Sequence, residues 1–157
     1  MAKLYNYDVM FDDTSIDVSK EVALVWSIAN SLRGAYTSDK YKEVIIPMVI
    51  IRRFECALAE TKQAVVDKFK GNPKLPAALL EKVSGYPFYN TSEFTLARLL
   101  NDSDNIAENF VSYIEGFSAN VQTILANLEF KKQIEKMDKN NRLYGVVKKF
   151  SEMDFVR

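Results

Sequence analysis

The run Val44 to Ile51, VIIPMVII, constrains this chain more than any other stretch. It is too apolar to lie in water, yet far shorter than the ~20 residues needed to cross a bilayer. Its β-branched residues would suit a buried strand. Against that, the apolar pattern continues through Phe54, Ala57 and Leu58 with no turn signal, which predicts a helix from about Ser38 to Thr61. Pro47 then sits inside the helix, removes one hydrogen bond to the Glu43 carbonyl and bends the axis. A first helix precedes it, with Val22, Val25, Trp26, Ala29 and Leu32 at spacings of three and four on one apolar face. Gly34 fits the left-handed residue that closes it, and the turn Ala35–Thr37 leads to Ser38 or Asp39 as caps of the second helix. This helix pair is expected to be the centre of the core.

The remaining segments read as further helices around that pair. Residues 1–18 form an arm rich in Leu4, Tyr5, Tyr7, Val9, Met10 and Phe11. It is expected to fold back over the body, with insertion into a partner as the alternative. Asp17 or Ser19 caps the first helix, and Glu21 suits its dipole. Gly71-Asn72-Pro73-Lys74-Leu75-Pro76 is a break, after which Pro76 starts a short helix through Val83. In the loop from Ser84 to Thr91, the rings of Tyr86, Phe88 and Tyr89 are expected to be pinned to the core. A helix over Thr95–Leu100 follows. The next is opened by Ser103 or Asp104, carries Ile106, Phe110 and Ile114 in steps of four, and is closed by Gly116. Ser118 caps a helix to about Leu128 with Val121, Leu125 and Leu128 on one stripe. Phe130–Met137 is basic and amphipathic, Asn140-Asn141 breaks it, and Leu143–Phe150 begins the last helix. The count is seven or eight helices and no sheet: an all-α, bundle-like single domain over residues 19–157. The chain stops at Arg157 without a capping glycine or polar tail, so a longer natural chain is expected.

Chemistry is constrained mainly by what the chain lacks. Histidine is absent and Cys56 is the only cysteine, which removes His-based acid/base catalysis, Ser–His and Cys–His pairs, His-ligated zinc and any internal disulfide. The five glycines are too far apart for a phosphate-cradling loop. The pair Asp12-Asp13 reads as a solvated turn rather than a metal site. No catalytic, cofactor-binding or metal-binding residue is therefore assigned. Lys plus Arg and Asp plus Glu are 21 each, so zero net charge argues against a freestanding, charge-driven nucleic-acid or membrane binder. Nothing resembles a signal peptide, and a soluble, cytoplasmic protein is expected. The doublets Arg52-Arg53, Lys131-Lys132 and Lys148-Lys149 read mostly as solvated helix edges. Arg52-Arg53 carries more weight because it follows directly on a buried run, with Arg33 expected nearby if the first two helices form a hairpin. The plain alternative is a contact with the helix's own carbonyls, or an ion pair with Glu55 or Glu60.

The segments LVWSIANSLRG (24–34) and YKEVIIPMVIIRRFE (41–55) together resemble the opening of the modification (M, HsdM-type) subunit of type I restriction–modification systems. Two further blocks, FSANVQTILANLEF (117–130) and NRLYGVVKKFSEMD (141–154), are similar to the same family in the same order. The resemblance covers about Ser19 to Phe155 and is weakest over Lys62–Ser103. It implies a DNA adenine N6-methyltransferase subunit that uses S-adenosylmethionine. Two M subunits would assemble with one specificity subunit, alongside a restriction subunit, on double-stranded DNA. The glycine-rich cofactor motif and the Asn/Asp-Pro-Pro-Phe/Tyr motif are both missing, and the four prolines are never adjacent. The chain therefore resembles the helical N-terminal domain alone. It would not be catalytic or hold cofactor by itself, and the methyltransferase domain is expected C-terminal to it. On this reading Arg33, Lys40, Lys42, Arg52 and Arg53 are the candidates for DNA-backbone contacts, which position a protein without specifying sequence. Two other classes stay open from residues alone: a freestanding helical protein–protein adaptor and a small autonomous DNA-binding module.

Overall fold

The computed structural model of the protein describes residues 19–154; the expectations for the arm, residues 1–18, fall outside that span. The described residues hold nine α-helices and no strand, so the fold is all-α. In order these are α1 (Ser19–Leu32), α2 (Lys42–Leu58), α3 (Lys62–Gly71), α4 (Ala77–Ser84) and α5 (Leu96–Leu99). They are followed by α6 (Ile106–Glu115), α7 (Ala119–Asn127), α8 (Phe130–Lys139) and α9 (Leu143–Ser151). Single 3-10 turns, Ser38–Lys40 and Ser103–Asn105, lead into α2 and α6.

The apolar run is helical, and α2 passes through Pro47 without a break. Val44, Pro47, Met48, Ile51 and Leu58 are buried at helical spacing, while Ile46 points outward. The helix expected to start at Ser38 begins instead after the 3-10 turn. It also stops at Leu58, where the chain turns and starts α3. That helix was not anticipated, which is why the count exceeds eight. Val65 and Val66 are its only buried residues, and it packs chiefly on α4.

The centre of the bundle is α9. Its residues Leu143, Val146, Val147 and Phe150 are at most 1% exposed. It touches α1, α2, α5, α6 and α8. The expected central pair, α1 and α2, does supply core residues (Ile28, Leu32, Val44, Met48, Ile51), but both helices lean on α9 more than on each other. The α1 face also differs from expectation. Ile28, Ala29 and Leu32 are buried, whereas Val22, Val25 and Trp26 are exposed. In the aromatic loop, Phe88 is half-buried with its ring 4.5 Å from that of Phe54. Tyr89 is half-buried too, while Tyr86 is exposed and stacks on Phe88 at 5.1 Å.

Two glycines are dictated by geometry. Gly34 closes α1 at φ +93°, a left-handed conformation that strains any side chain with a Cβ. Gly116 follows α6 at φ −80°, so it is not a left-handed cap. It is required for another reason: a Cβ there would lie 2.8 Å from both Cβ and N of Ser92. The loop approaches because Thr91 N–H donates to the Gly116 carbonyl at 2.8 Å and Ser118 N–H to the Tyr89 carbonyl at 2.9 Å. Gly116→Ala must push this backbone apart and is expected to cost about 1–3 kcal/mol by overpacking. Urea denaturation of the variant, with an unchanged m-value, checks it.

Candidate functional site

Two groups of side chains stand out, one at the surface and one beside a cleft. The surface group lies where α1 ends and α2, α8 and α9 meet. Arg33 and Lys40 flank the turn between α1 and α2, and Lys42 opens α2; all three are exposed. Residues far along the chain join them. Arg142 Nη2 donates to the Arg33 carbonyl at 3.3 Å, and Lys136 Nζ lies 4.2 Å from the ring centre of Tyr36. The Tyr36 hydroxyl donates to buried Gln133 Oε1 at 2.7 Å, which fixes the turn on α8. Five cations thus share one end of the bundle with the N-termini of α2 and α9, whose first N–H groups lack intrahelical partners. Carboxylates interrupt it, Glu135 and Asp138 on α8 among them. Glu43 pairs with Lys40 at 3.5 Å. A hydrogen bond from the Thr37 hydroxyl, at 2.6 Å, holds the Asp39 carboxyl below its ordinary range.

Arg52 and Arg53 are not part of this end. Lys42 and Arg53 are eleven residues apart on α2, roughly 16 Å along its axis. Arg53 is exposed. Arg52 is held inside: its Nε donates to the Met153 carbonyl at 2.6 Å, and Nη1 is ion-paired with Glu55. The ion-pair alternative for Arg52 is therefore the one the fold uses. Lys136 and Arg142, which the sequence alone did not single out, take their place in the cluster.

The second group centres on Glu55. One carboxylate oxygen pairs with Arg52; the other accepts from the Tyr113 hydroxyl at 2.7 Å and from Leu96 N–H at 2.8 Å. Beside it, Lys62 Nζ donates to Asn90 Oδ1 at 2.9 Å and lies 5.1 Å from the centre of the Tyr113 ring. Arg52, Glu55, Lys62, Asn90 and Tyr113 line a cleft of about 410 Å³, with Cys56 among its other walls. Burial pushes the Lys62 ammonium down from 10.5 to about 8, against the attraction of Glu55. Burial, then the charge of Glu55, pushes the Tyr113 hydroxyl well up. Among the described residues no three of His, Cys, Asp and Glu converge as a metal site would require.

A family model described as the HsdM N-terminal domain matches residues 22–150. The chain belongs to that family. This HsdM N-terminal domain is thereby the N-terminal region of a type I restriction–modification M subunit. The bounds of the match take in Lys62–Ser103, where the resemblance is weakest, and the charged residues of both side-chain groups. No curated protein and no solved structure matches the chain.

Two consequences of the Glu55 group are measurable in the HsdM N-terminal domain. Glu55→Ala leaves Leu96 N–H and the Tyr113 hydroxyl without their acceptor and Arg52 without its carboxylate, and is expected to cost on the order of 3 kcal/mol. Tyr113→Phe removes one bond and is expected to cost about half as much. Between pH 8 and pH 10.5 the unfolded chain keeps a proton on Lys62 that the folded chain gives up. Stability therefore rises with pH through that window. Tyr36, raised by burial from 10.0 to about 12, acts in the opposite sense: its contribution is full below pH 10 and is lost as pH passes 12. Denaturation from pH 8 to 10 should show stability rising in the native chain and a flatter profile in Lys62→Met.

Proposed function

We propose that this domain helps assemble a type I restriction–modification methyltransferase and close it around double-stranded DNA, gripping the phosphate backbone with the basic end. The observation that carries this reading is the family match over residues 22–150. The side-chain geometry supports it, because Arg33, Lys40, Lys42, Lys136 and Arg142 collect at one end, where α1 and α8 finish and α2 and α9 begin. Ammonium and guanidinium groups beside free helix N–H groups suit phosphate, and such contacts fix register without reading bases. Arg53 would add a contact further along α2, while Arg52 serves the fold.

Methyl transfer would belong to a methyltransferase domain following this one, with S-adenosylmethionine as donor and the target adenine turned out of the duplex there. The specificity subunit would read the sequence. The second M subunit and the restriction subunit would complete the complex, in the cytoplasm with its DNA. This domain's share is positioning, so it should alter affinity and not target choice.

The test uses the full subunit in its complex. Replacing Arg33, Lys40 and Lys42 together by Glu should weaken DNA binding by about tenfold or more and lower the slope of log K against log salt by about 2–3. The loss should be equal for cognate and unrelated duplexes, with the methylated sequence unchanged. Unaltered affinity and salt slope would sink the reading; a loss confined to cognate DNA would mean that these residues act through the specificity subunit.

A further inference from the structure

Only half of the apolar stripe of α1 is covered by the described residues. At about 100° per residue, Leu32, Val25, Ala29, Val22 and Trp26 fall within one sector of about 120°. At the C-terminal end of that stripe Ala29 and Leu32 are buried, and the helix packs on α9. Toward the N-terminus the same stripe emerges into solvent, with Val22, Val25 and Trp26 at 48%, 38% and 64% exposure. On the same turn Glu21 Oε1 is buried with no hydrogen-bond partner. A buried carboxylate oxygen without a donor is costly. Among the described residues this turn therefore has neither an apolar cover for its stripe nor a donor for Glu21.

We propose that the cover is the chain's own residues 4–11, laid over Val22, Val25 and Trp26. Composition and tether together favour this occupant over a second copy or another protein. Six of the eight residues from Leu4 to Phe11 are apolar or aromatic: Leu4, Tyr5, Tyr7, Val9, Met10 and Phe11. Residues 12–18 can span up to ~23 Å when extended. The exposed patch is only about 6 Å long on the helix axis. A return over α1 is therefore within reach. The tether also holds the segment at an effective concentration of order millimolar, which a diffusing partner rarely matches. Lys3 and the hydroxyls of Tyr5 and Tyr7 supply donors that Glu21 lacks. The family match begins at residue 22, so this cover lies outside it and does not depend on the function proposed above.

Trp26 is the only tryptophan, so intrinsic fluorescence reports on the patch directly. The whole chain is measured by emission maximum and acrylamide quenching over a wide concentration range. It is compared with a chain lacking residues 2–11 and with the triple variant Leu4→Ser, Tyr7→Ser, Phe11→Ser, whose helical folding is checked by circular dichroism. In the native chain the emission should be blue-shifted, protected and independent of concentration. Both variants should shift it to the red and raise quenching several-fold. A water-exposed emission in the native chain that neither variant changes overturns the proposal. So does protection that survives the deletion. A blue shift that appears only as concentration rises overturns it as well, and assigns the patch to a second copy of the chain.

Discussion

The Glu55 carboxylate receives donors from three separate parts of the chain, and the arrangement of the bundle depends on it. Arg52 reaches it from one turn earlier on α2, Leu96 offers the first N–H of α5, and Tyr113 brings a hydroxyl from α6. Charge-assisted bonds of this kind are short and strong in a dry setting, and an unpaired carboxylate there would be costly. Helix α5 shows the consequence. It is four residues long, far below the length at which a helix holds itself together. It persists because Glu55 takes its first N–H and the Thr95 hydroxyl caps Arg98 N–H at 3.1 Å. Arg52 extends the network to the Met153 carbonyl and so fastens the end of α9. A guanidinium with two such partners is a structural part, whatever its sequence neighbours suggest.

Around that polar hub the apolar packing is organised by the last helix in the chain. Because α9 contacts α1, α2, α5, α6 and α8, the core cannot be completed until residues 143–151 are present. A piece ending at α8 would expose the surfaces that Val146, Val147 and Phe150 now seal. The extent of the family match, which runs to residue 150, agrees with this physical unit. Loop 89–92 has an analogous role near the cleft. Asn90 is buried, and its amide donates to the Tyr113 carbonyl at 3.0 Å while its Oδ1 receives Lys62 and Ser92 N–H. The Lys62 ammonium is thus held by an amide and a ring, with no carboxylate within ion-pair distance among the described residues, and this is why burial dominates its proton affinity.

What was legible in the sequence is what local spacing encodes. The helices, Gly34 as a left-handed stop, Pro76 as a start and the Asn140-Asn141 break follow from rules acting over four or five residues. Helix α3 was missed because its stripe is short, with Val65 and Val66 buried and Phe69 half-buried between two turns. The α1 face was read correctly as a stripe but wrongly as wholly buried, since periodicity does not say where the neighbouring helix ends. The site groups depend on long separations. Glu55 meets Leu96 and Tyr113 across 41 and 58 residues, and Arg33 meets Arg142 across 109. No motif announces such meetings. Gly116 shows a similar limit: its role is set by Ser92, a residue on another loop, and not by its own helix.

Zero net charge and a basic end are compatible because ion pairing is unevenly spread. Away from that end, Lys70 pairs with Glu93, Lys131 with Glu115 and Lys148 with Glu152, while next to Lys136 on α8 Lys139 pairs with Glu135; all four pairs are exposed and worth little to stability. Each such pair removes one charge of either sign from the long-range field. Of the five cations at the end of the bundle, only Lys40 shares a salt bridge among the described residues. Arg33, Lys42, Lys136 and Arg142 are left over, and the N-termini of α2 and α9 add partial positive charge beside them. The balance of 21 against 21 therefore describes the whole surface and conceals its distribution. Within a Debye length of about 10 Å, a phosphate backbone responds to the local surplus and not to the sum.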